Sequence, residues 1–194
     1  MDEIEAFKDV RTFFVEHVTE AMRDLRVETR AETQGYLVNL LSGFAVSGRA
    51  RTLSEPLARL LQKAASAKGP ERLSRLRDLG DVALFICGFF PDSFDRRGLS
   101  RTYVVEMGGR AYLVIGRSSP GQSQEPSEVF VELGGRFHEM ARVLDEVRER
   151  TALCTDGEIL RLYERWRSSG SPAIAERLQR RGVAPQKPRG GTLH

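Results

Sequence analysis

The sequence predicts an all-α protein, a single-domain bundle of about seven or eight helices, and three observations carry that prediction. Apolar residues recur three and four apart through most of the chain. The longest apolar run, Val82 to Phe90, continues a stripe that begins on a charged helical stretch. Glycine and proline fall mainly between the periodic segments. With 194 residues, 40% hydrophobic and 29% charged, the chain has the balance of a folded globule and the length of one domain. Residues 1–182 are expected to form that domain, and 183–194, VAPQKPRGGTLH, a flexible tail with almost nothing to bury.

The first helix, over 2–26, places Ile4, Phe7, Val10, Phe14, Val18, Met22 and Leu25 on one stripe. A second, near 32–47, buries Tyr36, Leu37, Leu40, Leu41 and Phe44 and ends at Gly48. The third starts at Ser54 with Pro56 in its first turn, and Lys68 and Gly69 close it. Pro70 then opens the fourth from a position that proline tolerates.

From Glu71 the stripe Leu73, Leu76, Leu79, Ala83, Cys87, Phe90 starts amphipathic and becomes apolar all round. Such a gradient puts residues 73–90 at the centre of the bundle, with the first helix packed across them. Pro91 stops this helix, and Asp92 to Gly98 reads as a polar turn.

Residues 102–115, TYVVEMGGRAYLVI, carry two readings. β-Branched and aromatic residues around a central Gly-Gly are a hairpin signal, which makes the alternative fold helical with a small β-hairpin. The internal echo of VEMGGRAY (105–112) in VELGGRFH (131–138) favours helix, because the second copy continues a stripe from Phe130 through Val147. A glycine inside a helix costs about 1 kcal/mol against alanine. Two Gly-Gly pairs therefore suggest helices that cross at their glycines.

GRSSPGQSQEPS (116–127) is a loop. After Asp156 a short helix with Ile159, Leu162, Tyr163 and Trp166 is followed by the break SSGSP and a last helix with Ile174 and Leu178.

Chemistry is sparsely signposted. Nucleophile elbows, Walker A loops, dinucleotide fingerprints, HExxH zinc sites and Glu-x-x-His pairs are missing from the sequence, so no catalytic, cofactor or metal residues are assigned. His17 and His138 read as surface or half-buried histidines. Cys87, inside ALFICGFF, reads as an inert core thiol. Cys154 has no histidine near it in sequence. Asp92 and Asp95, beside Arg96 and Arg97, read as a turn.

Four residue groups remain for binding. Nine acids against five bases in 1–32 face eight bases against two acids in 49–77. That basic stretch, with Arg49, Arg51, Arg59, Lys63, Arg72 and Arg75, is a candidate anion-binding face, and with the C-terminal arginines it supports nucleic-acid binding as one function class. The stretch has no aromatic residues for base stacking and no recognition-helix frame. Arginine outnumbers lysine 26 to 4, which fits a GC-rich genome. Tyr103, Tyr112 and His138 are a candidate pocket, the basis of a second class, a small-molecule-binding bundle. The leading expectation is a non-enzymatic protein-interaction or regulatory protein of the bacterial cytoplasm, partnered by another protein through its amphipathic faces and basic tail. No apolar run approaches the ~20 residues a membrane-spanning helix needs.

The run LRDLGDVALFICGFFPDSFDRRG, followed by YVVEMGGRAY and ILRLYERW, resembles an uncharacterised family of helical proteins from GC-rich bacteria over roughly residues 30–180. The resemblance implies a helical fold and a bacterial origin, and no activity.

Overall fold

The computed structural model describes residues 3–46, 55–91, 94, 100–118, 127–151, 163, 166 and 169–180, with the side chains of all of these except 3–9, 46, 173, 177 and 180. Eight helices and no strand run through them: α1 (Glu3–Leu25), α2 (Ala31–Val46), α3 (Leu57–Ser66), α4 (Gly69–Phe89), α5 (Arg101–Arg117), α6 (Ser127–Gly135), α7 (Phe137–Arg150) and α8 (Pro172–Arg180). Residues 102–115 are therefore helix, and the hairpin alternative is excluded. The third helix starts at Leu57, with Pro56 as its N-cap, later than the sequence suggests. The polar turn at 92–98, apart from Phe94, lies outside the described residues. So do most of the 116–127 loop, most of the short helix after Asp156, and the tail 183–194.

The chain divides into two compact units, Met1–Val147 and Arg148–His194. In the first, α4 is central. Every residue from Leu79 to Phe89 is buried, because other helices pack around this segment. Tyr36 and Phe44 of α2 meet Asp81 and Phe85. Tyr112 of α5 lies on Gly80, and Leu144 of α7 lies on Gly88. The N-terminus of α4 needs its glycine: Gly69 takes φ +55, a left-handed conformation that other residues adopt at a cost, and Pro70 follows in the first turn.

Among the described residues, α1 packs chiefly along α2, not across α4 as its stripe suggests. The two form an antiparallel hairpin, with Arg11 donating to Asn39 and Gln34 donating to Thr19. The reason lies in α2, where Tyr36, Leu37, Val38, Leu40 and Leu41 are all buried. That helix is apolar on more than one face, so it serves α1 as well as α4. Helix α1 ends in a Schellman motif: Val27 N–H reaches Met22 carbonyl at 2.9 Å, Arg26 N–H reaches Arg23 carbonyl at 3.1 Å, and Arg26 takes φ +54.

The glycine crossing is real. A Cβ on Gly109 would lie 3.1 Å from the Gly134 carbonyl oxygen, and one on Gly134 would lie 2.7 Å from that of Gly109. Gly108 lies against Phe137 and Ala83, whereas Gly135 faces open space. The stripe from Phe130 to Val147 is divided at Arg136 into α6 and α7, although Arg136 N–H still bonds Glu132 carbonyl and Met140 N–H bonds Arg136 carbonyl.

In the second unit, Trp166 and Leu178 form a small buried cluster with Tyr163, Ile174 and Ala175 against it. At its start, Arg148 and Glu149 are ion-paired at 3.1 Å with both side chains almost inaccessible.

Candidate functional site

Helix α5 has two unlike faces, and the contrast between them defines the site. Its N-terminus is capped by Ser100, whose hydroxyl accepts the Tyr103 N–H. Facing inward, Gly108 and Gly109 sit on Phe137 and Gly134, and Tyr112 is fully buried. The Tyr112 ring occupies the space a side chain at Gly80 would need. Its hydroxyl donates to Asp81 Oδ1 at 2.8 Å, and Tyr36 donates to the same oxygen at 2.6 Å.

A carboxylate 4% exposed in the middle of a bundle needs such donors, since burying it without hydrogen bonds costs several kcal/mol. Burial first, and then the charge of Asp81, hold the Tyr112 hydroxyl well above its ordinary pKa. Arg77, one turn before Asp81, lies with its guanidinium 5.2 Å from the Phe130 ring centre. This arrangement anchors α5 and leaves no open space for a ligand beside Tyr112.

The outward face is open. Tyr103, Glu106, Arg110 and Val114 follow one another at helical spacing along the wall of a groove of about 270 Å³. Leu61 of α3 forms the facing wall, and Leu76 and Leu79 of α4, with Met107 and Ala111, form the floor. Tyr103, Val114 and Leu61 are 51%, 39% and 38% exposed, an apolar concentration that a lone surface residue does not make. Glu106 and Arg110 are the charged groups among the described residues that line it. They share a helix face at i,i+4 in the order that favours pairing, yet no ion pair joins them or ties either one elsewhere among the described residues.

Of the pocket trio from the sequence, only Tyr103 lies on this groove. Tyr112 is nine residues away, half a turn round the helix, and His138 is exposed on α7. The structure does not bring the three together. On the basic face, Arg49 and Arg51 lie outside the described residues. Arg59 and Lys63 both pair with Glu55, at 3.3 and 2.6 Å, and Arg75 reaches Glu71 at 3.7 Å; Arg72 is exposed. Lys63 and Arg75 share a polar depression with Gln62, Ser66 and Glu71.

Cys87 is inaccessible, and burial pushes its thiol up to about 12 against the opposing pull of Arg101. Among the described residues no cluster of His, Cys, Asp and Glu could hold a metal ion, and no helix is long and apolar enough to cross a membrane.

Sequence reasoning missed Asp81 and the groove. The first had a signal: an aspartate directly before nine apolar residues, on a helix apolar all round, has to be buried and needs donors. The groove had a weaker one, the apolar positions 103, 107, 111 and 114, which mark one face of α5 without telling that this face stays uncovered.

No protein-family model, curated protein or solved structure matches the chain.

Proposed function

We propose that this chain is a non-enzymatic interaction or regulatory protein of the bacterial cytoplasm, and that it meets its partner in the groove between α3, α4 and α5. The observation that carries this is the apolar groove itself, with Tyr103, Val114 and Leu61 left accessible on helices whose opposite faces are fixed in the core. Rigid apolar anchors beside polar rim groups are what a partner segment needs in order to bury surface without ordering the receptor.

Nucleic-acid binding is less well supported, because Arg59, Lys63 and Arg75 already have carboxylate neighbours. A phosphate chain would have to displace Glu55 and Glu71. A small-molecule site shared by Tyr103, Tyr112 and His138 is less well supported too, given their separate surroundings.

The test is a photoreactive benzoylphenylalanine in place of Val114, with exposed Arg142 on α7 as the control position. Irradiation in the native host should give a protein adduct of discrete mass from position 114 alone. Equal or no adduct at the two positions would sink the proposal.

A further inference from the structure

The charged and apolar groups on the groove side of α5 are arranged as their own complement. Glu106 and Arg110 lie two residues either side of position 108, and the exposed apolar pair, Tyr103 and Val114, lies five and six residues either side of it. A helix bearing this pattern, turned end for end, presents arginine where the first presents glutamate, and valine where the first presents tyrosine. That is the requirement of an isologous interface, in which residue i meets j and j meets i.

Resting on the reading of this groove as an interaction surface, we propose that its occupant is a second copy of this chain, docked α5 against α5 in antiparallel about a twofold axis at the level of Gly108. Glu106 of each copy then meets Arg110 of the other, forming two equivalent pairs, and Tyr103 of each copy meets Val114 at the lip of the other's groove. Apolar burial supplies the affinity, and the charge pairs set orientation and register. Among the described residues no ion pair engages Glu106 or Arg110 within one chain, and both side chains are exposed. A foreign helix would match these four positions only by carrying the same reversed pattern, whereas this chain carries it already.

Sedimentation equilibrium of the full chain tests the proposal. The wild type should pass from 21.8 kDa to twice that mass as concentration rises. Glu106→Arg and Arg110→Glu each set like charges opposite one another at both pairs, and each should weaken dimerisation by about tenfold or more. The first variant has only arginine at the two positions and the second only glutamate. An equimolar mixture should therefore restore the dimer, now as a heterodimer. Both residues are exposed, and that restoration also shows that neither variant is misfolded.

A wild-type dimer indifferent to both swaps, or swapped variants that fail to rescue each other, overturns the proposal. A wild type that stays monomeric also overturns it, while leaving the groove reading to the position-114 crosslink. A foreign protein crosslinked to a monomeric wild type supports the groove and rejects the second copy.

Discussion

Gly134 and Gly109 face each other across the α5–α6 contact, so closely that a methyl group on Gly134 would lie 2.7 Å from the Gly109 carbonyl oxygen. The obstacle is backbone and cannot rotate away. Gly134→Ala should therefore destabilise the first unit by about 1–3 kcal/mol, the usual range for overpacking. Gly135→Ala adds its methyl to open space and should be neutral or stabilising by up to about 1 kcal/mol, through helix propensity alone. Urea melts of the two neighbours give the contrast, and equal effects would remove the crossing as the reason for the glycines.

Tyr112→Phe deletes one of the two hydroxyls on Asp81 Oδ1 and should cost about 1–3 kcal/mol, the range for a buried hydrogen bond to a charged group. The same residue sets an alkaline limit. Its pKa is raised in the folded chain, so the folded state holds this proton more tightly than the unfolded state does. The associated stability is complete below the ordinary tyrosine value of 10.0 and is lost as pH climbs above it. Cys87, raised from 9.0 to about 12, adds a loss in the same direction from about pH 9 upwards. Melting temperature should fall with pH in this range, and less steeply in Tyr112→Phe than in the wild type.

Arg26 occupies the left-handed C′ position of a Schellman motif where glycine is the ordinary choice. Arg26→Gly removes the Cβ strain and should raise stability by roughly 0.5–1 kcal/mol at an exposed site. A thermal melt decides it; a lowered melting temperature would mean that the Arg26 side chain contributes more than its strained backbone costs.

Arg136 links three segments. Its guanidinium donates to Glu28 carbonyl, to Glu132 and to Glu139, while Glu132 also accepts from Thr33 and from the Arg30 N–H. The Arg136 hydrogen bond is the main reason the Glu139 carboxyl sits below its usual pKa, so stability conferred there is present above about 4.5 and declines as pH falls below it. Arg136→Met should cost about 1–2 kcal/mol near neutral pH and flatten the acid side of the stability profile, as read by urea melts from pH 3 to 7.

The helical fold was legible because each helix shows its period: Phe14, Val18 and Met22 on α1, or Leu57, Leu60 and Ala64 on α3, are buried at the spacing the sequence displays. The Gly-Gly echo indicated a crossing, because glycines within otherwise good helices imply close approach. The partner of α1 was not legible, since a stripe tells that a helix is covered and not by which neighbour. Asp81 passed unnoticed because the two tyrosines that donate to it lie 45 and 31 residues away. The groove depends on the spacing of three helices, and no local pattern encodes that.

The most direct measurement of the central claim is the native mass of the wild type and of Tyr103→Asp, each isolated from the native host under mild conditions. Tyr103 is 51% exposed, so the substitution should change stability by no more than about 0.5 kcal/mol. The wild type should carry the added mass of a bound protein chain, and Tyr103→Asp should fly as bare monomer with an unchanged melting temperature. Identical spectra, with the same bound chain on both proteins or none on either, would contradict the assignment of the groove as the interaction surface.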